Sequence, residues 1–139
     1  MSSKHAHLDM IQGVVNRLSH NSFLLKGWSV LLVSAMFALA AKDKQVLFVY
    51  LAYFPAISFW MLDGYFLYQE RLFRKLYDRV RVMAEEEIDF SMNTQLVKGH
   101  VAPWVEVTIS KTLLAFHGVL IVSIILVTSA SIYLNKGGS

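Results

Sequence analysis

Three long apolar blocks, residues 23–41, 46–68 and 112–134, constrain this chain more than any other feature. They hold 19, 23 and 23 residues, and a helix needs about 20 residues to cross roughly 30 Å of hydrocarbon. The first contains one charge, Lys26, the second one charge, Asp63, and the third none. Helices buried in a soluble bundle would each keep a polar face, and these blocks have none. The expected fold is therefore an all-α membrane protein with three spans: residues 22–41, 45–69 and 111–134. The chain is one domain's worth of 139 residues, without a cysteine, so disulfides and thiolate metal sites are excluded. Residues 38–40 would suit a signal peptidase, but the polar segment of 22 residues before the first block marks that block as a retained anchor. Residues 137–139 read as an appended linker.

Basic residues set the orientation, because cytoplasmic flanks collect Lys and Arg. Lys4, Arg17, Arg71, Arg74, Lys75, Arg79, Arg81, Lys98 and Lys111 fall on one side, against Lys42, Lys44 and Lys136 on the other. The N-terminus and central region are expected in the cytoplasm of a cell with one such membrane, and the C-terminus outside.

Residues 4–20 carry Leu8, Ile11, Val15 and Leu18 on one stripe and predict a short amphipathic helix. It would lie in the headgroup plane or pack on the central cytoplasmic helix. The polar stretch at 19–22 predicts a break, with Asn21 or Ser22 capping the first span. After the second block no Gly or Pro occurs before Gly99, and Leu72, Leu76, Val80 and Met83 line one side. A helix from about residue 45 to 87 follows, roughly 60 Å long, with residues 70–87 as a cytoplasmic stalk. Its acidic end at residues 85–87 opposes the helix dipole and should fray. The stalk's apolar stripe needs a cover; unless residues 4–20 supply it, self-association is the simplest solution, and Leu72, Leu76, Val80 and Met83 are expected to form an oligomer or partner contact. Residues 88–110 are expected to be an irregular loop, with Trp104 as an interfacial aromatic. Pro55 should kink the second span and is a candidate hinge. Gly27, Ser34, Ala38 and Ala41 present small groups along the first span, the pattern of close helix approach.

The charges inside the blocks converge in depth. Asp63 lies 17 residues past Val46, Lys26 15 residues before Ala41, and His117 six residues past Lys111, which puts all three in the cytoplasmic third. Intramembrane ionisable groups are usually paired or functional. Lys26, Asp63 and His117 are therefore either a paired structural layer or the lining of a gate or aqueous path in an oligomer. One Asp and one His are too few for a metal site. No phosphate loop, zinc motif or Ser-His-Asp arrangement is present, so neither an enzyme nor a cofactor is expected. Arg71, Arg74, Lys75, Arg79 and Arg81 fit anionic lipid headgroups better than nucleic acid.

The runs "NSFLLKGWSVLLVSAMFALAAKD" and "AYFPAISFWMLDGYFLYQERLFRKLYDRVR", followed by "IDFSMNT", resemble a group of small, uncharacterised bacterial inner-membrane proteins. That resemblance implies a bacterial inner-membrane location and no particular activity. In size and layout the chain is also similar to membrane-perturbing effectors of anti-phage systems. Two functions are expected from these features. One is a homo-oligomeric pore-forming or membrane-perturbing effector. The other is an anchor recruiting a cytoplasmic protein partner through residues 70–107. Solute transport is weaker, since three spans show no internal repeat.

The charge split makes a prediction: single cysteines placed at Met92 and Asn135 should label from opposite sides in intact cells. Labelling of both from outside would refute the orientation.

Overall fold

The computed structural model describes residues 2–137 as a helical molecule built on one very long helix. Helix α1, Ser3–Asp43, contains both the expected amphipathic segment and the first apolar block without a break. Ser2 caps its start, with Oγ accepting from the backbone N–H of His5 at 3.2 Å. Lys44 closes its end in the left-handed conformation, its N–H returning to the Ala40 carbonyl. The predicted break at residues 19–22 is absent, and neither Asn21 nor Ser22 is a cap. The reason lies in phase. His7, Ile11, Val15, Leu18, Ser22, Lys26, Ser29, Val33, Phe37 and Ala40 follow each other at spacings of four, four and three. This is one inward stripe of about 3.67 residues per turn, and an α-helix follows it almost straight. Ser22 interrupts the hydrophobicity of that stripe but not its position.

The second block forms α2, Val46–Leu51, and α3, Tyr53–Arg81. They are separated only at Ala52, whose N–H is shared between the Phe48 and Val49 carbonyls at 3.2 Å each. Pro55 explains the interruption: it cannot donate to the carbonyl of Leu51, four residues back, and its ring crowds that carbonyl. Three short elements follow: 3₁₀ turns at Glu85–Glu87 and Gln95–His100, and α4, Trp104–Thr108. The last element, α5, spans Lys111–Gly137. Of residues 137–139, Gly137 ends α5 and the last two lie outside the described residues. Three helical stretches, Ser3–Asp43, Val46–Arg81 and Lys111–Gly137, are long and apolar enough to cross a membrane.

The stalk is shorter than expected. α3 ends at Arg81, and Glu85–Glu87 form a separate 3₁₀ turn. Three carboxylates at a helix C-terminus face the negative end of the dipole. Here they have left it, and Glu85 Oε1 accepts from the Lys4 backbone N–H at 3.3 Å in the first turn of α1. The same charge that destabilises the end of α3 stabilises the start of α1.

Residues 88–110 are also more ordered than a loop. In "IDFSMNT", the Asp89 side chain accepts from the Ser91 N–H, Ser91 Oγ from the Asn93 N–H, and Asn93 Oδ1 from the Gln95 N–H. Three successive side-chain turns thus fold the segment back on itself. His7 Nε2 donates to the Ser91 carbonyl at 2.8 Å and fastens it to α1.

Two cores result. One holds Ile11 and Val15 of α1, Leu72, Leu76 and Val80 of α3, and Val97, with Met83, Ile88 and Met92 packed against it. The other joins Val33, Val49, Ala52, Ala56 and Ile124 within the apolar blocks. The stripe Leu72, Leu76, Val80 and Met83 therefore has its cover inside the chain. It is not a free face, and the argument for self-association through it falls away. Residues 4–20 do the covering because the α1 stripe continues in phase from Ser22 down to His7.

The buried residues of α3 spread over a broad arc of the helix rather than one narrow stripe. Asp63 and Leu72 are nine residues apart, two and a half helical turns, yet both are buried. The apolar end buries Ala56, Asp63 and Gly64, and the other end buries Glu70, Leu72, Leu76 and Val80.

Leu76→Lys should accordingly unfold the region below Glu70, with faster hydrogen exchange across residues 8–15 and 88–101. A buried Leu truncated to Ala already costs about 2–5 kcal/mol. A change in oligomer mass with normal exchange would restore the intermolecular alternative.

Candidate functional site

A compact polar cluster joins Ser22 and Lys26 of α1, Asp63 of α3 and His117 of α5. Asp63 is fully buried on α3, and His117 is fully buried on α5. Lys26 Nζ stands 2.6 Å from Asp63 Oδ2, and His117 Nε2 donates to the same oxygen at 2.7 Å. Ser22 Oγ, one turn before Lys26, donates to Oδ1 and accepts from Lys26 Nζ at 2.9 Å. The three ionisable residues converge as their depth in the sequence predicted. Ser22 was assigned to a cap and is the fourth member.

The carboxylate is thus held on both oxygens by three donors from two other helices. An isolated charge here would be costly, and the ammonium beside it neutralises the pair. The bond to Asp63 places the imidazole proton on Nε2, an assignment made from the hydrogen-bond geometry. The cluster carries no net charge with a neutral imidazole. His117 Nδ1 is buried and has no hydrogen-bond partner. The ring lies parallel to Trp60, centroids 5.9 Å apart and planes 6° apart, and Phe116 meets it edge-on at 5.0 Å. Lys26 Nζ also lies 5.9 Å from the Phe116 ring centre. Aromatic walls therefore keep the imidazole dry, whereas the Lys26 side chain is 23% exposed and opens the cluster to the surface of the molecule.

The backbone around the cluster is fixed by α4. Trp60 Nε1 donates to the Thr108 carbonyl at 2.8 Å, and Trp104 Nε1 donates to the Met61 carbonyl at 3.2 Å. Gly64 allows this approach. A Cβ there would stand 2.9 Å from Thr108 Cβ and 3.1 Å from its Cα, closer than side chains pack. Further along, Tyr53 donates to Thr128 Oγ1 at 3.2 Å, and Thr128 donates to the Ile124 carbonyl at 2.7 Å. Sequence reading did not find Trp60, Thr108 or Phe116, since their roles depend on which helix lies opposite.

The basic residues do not form one patch. Arg74 Nη2 pairs with Glu70 at 2.9 Å. Arg71, Arg74 and Lys75 line one cleft, while Arg79 lies beside His7 at a small cavity on another side of α3. Gly27, Ser34, Ala38 and Ala41 are all exposed, and Ala41 borders a cleft with Val127 and Ser131 of α5. Among the described residues no group of three His, Asp or Glu side chains could hold a metal ion.

The chain matches no protein family, no curated protein and no solved structure.

A double-mutant cycle measures the pair. Asp63→Asn and Lys26→Gln should each destabilise by about 3–5 kcal/mol, because each leaves its partner as an unpaired charge. The double variant should recover much of that loss, read as detergent unfolding or thermal aggregation. Strictly additive losses would mean that the two charges do not depend on each other.

Proposed function

We propose that the protein is a small effector of the bacterial inner membrane that acts as a homo-oligomer and perturbs the bilayer. In this reading the N-terminus and the region between α3 and α5 lie in the cytoplasm, and the C-terminus lies outside. The observation that carries it is the Ser22–Lys26–Asp63–His117 cluster, drawn from three apolar helices, with the ammonium reaching the molecule's surface. A charge at that depth exposed towards lipid is expensive, and a neighbouring copy would remove it from hydrocarbon. The exposed small residues of α1 supply a surface on which a second copy could approach closely. One three-helix chain cannot enclose a path, so any leak needs several copies. The kink at Pro55 is then the hinge on which the outer part of the second span moves. The similarity in size and layout to membrane-perturbing anti-phage effectors supports the same reading.

An anchor or adaptor is the second reading, and one observation favours it: the donors to Asp63 and the cover of the lower core both come from within a single chain. Such a molecule is a stable pedestal that could present residues 82–110 to a soluble partner.

Purified protein in liposomes should release a small trapped dye, and Ala38→Leu, which crowds the small-residue face, should reduce both the release and the oligomer mass. Lys26→Gln combined with Asp63→Asn should fold but change the rate of release. A monomeric wild type without release would overturn the effector reading and leave the pedestal.

A further inference from the structure

The side of α3 that meets α4 continues below the polar cluster into a cationic cleft. Arg71 lies seven residues beyond Gly64, and Lys75 eleven. These are about two and three turns, so both residues lie on the Gly64 side of the helix. The chain from His100 to Trp104 runs along that side, held by the Trp104 bond to the Met61 carbonyl and by the Thr108 contact with Gly64. Between them a cleft of about 290 Å³ remains, lined by Arg71, Arg74, Lys75, His100, Val101 and Ala102. One wall carries Arg71, Arg74 and Lys75, and the other is formed by His100, Val101 and Ala102. Glu70 binds one arm of Arg74 and fixes the guanidinium, leaving its other nitrogens free for an acceptor. Asp78, on the next turn, is the other nearby acid on α3, so cations exceed carboxylates along this side.

We propose that this cleft binds a phosphate group, either the phosphodiester of an anionic lipid headgroup or a free phosphate compound. Guanidinium groups present paired N–H donors that match phosphate oxygens, and an ammonium adds a mobile donor. The cleft also has the right depth. Arg71 is eight residues, about 12 Å, beyond Asp63. If the cluster lies just inside the hydrocarbon, as the proposed orientation has it, Arg71 stands at the level of lipid phosphates. Arg79 and Arg81 carry equal charge on the same helix but do not line the cleft, and so provide an internal control.

The test uses the full chain in neutral detergent, with its thermal unfolding followed against added phosphatidylglycerol, phosphatidylcholine or inorganic pyrophosphate. Phosphatidylglycerol or pyrophosphate should raise the unfolding temperature of the wild type, and phosphatidylcholine should not. A response to phosphatidylglycerol alone identifies the lipid as the source, and a response to pyrophosphate identifies a free phosphate compound. Arg71→Gln with Lys75→Gln should weaken the responding ligand by about tenfold or more, while Arg79→Gln with Arg81→Gln should not. Ala102→Trp keeps every charge and fills the cleft, so it should abolish the response. It also decides the matter if the first variant fails to fold. No shift in the wild type, equal weakening in both double variants, or full binding by Ala102→Trp would each overturn the site. None of these readouts depends on dye release or oligomer mass, so the cleft and the effector reading can fail separately.

Discussion

The carboxylate of Asp63 is the point on which the arrangement of the apolar helices turns. Apolar side chains pack against one another without choosing a partner or a register, and three such helices could slide or rotate at little cost. A buried carboxylate removes that freedom, because it must find donors at fixed positions or remain uncompensated. Here Ser22 and Lys26 set the level and rotation of α1 against α3, and His117 sets those of α5. Gly64, the next residue, then admits α4, whose two tryptophan contacts close the cluster from below. The local composition looks like a concession to polarity within a hydrophobic block. Physically it supplies the specificity that hydrophobic burial alone does not.

Below the cluster the fold relies on a different balance. α1 continues as one rod, and its lower third lies over Leu72, Leu76 and Val80. Glu85 reaches the first turn of α1, His7 holds the Ser91 carbonyl, and the turns of residues 89–95 direct Val97 into the core. Each contact joins segments more than 80 residues apart or fixes a loop on which such a contact depends. The lower region is therefore held by long-range ties rather than by the local strength of a stalk.

Much of this was legible in the sequence, and the failures have physical causes. Block lengths revealed three long apolar helices, and residue depth revealed that Lys26, Asp63 and His117 share a level. Pro55 marked the interruption near Ala52. The unbroken α1 was missed because residues 19–22 were judged by polarity, although Ser22 sits on the inward stripe at the right spacing. The length of α3 was overstated because the absence of Gly and Pro says only that a helix is permitted. The carboxylates of residues 85–87 were seen to oppose its dipole, but their new position at α1 depends on a contact across the fold. Stripe and cover were both visible at Leu72–Val80 and Ile11–Val15. Self-association was nevertheless the expected cover, because hydrophobic pattern alone does not show that the α1 stripe stays in phase down to Ile11.

The continuity of α3 through both the polar cluster and the lower apolar core has a mechanical consequence. A helix held only by apolar contacts can roll slightly and keep most of them. α3 cannot, since any torsion that draws Leu72 and Leu76 out from under α1 also carries the Asp63 carboxylate out of line with its donors. Force applied to the basic end of the helix is thus transmitted as twist to the charged cluster, with no intervening joint between Tyr53 and Arg81. The two ends share one rotational coordinate, and disturbing either loads the other.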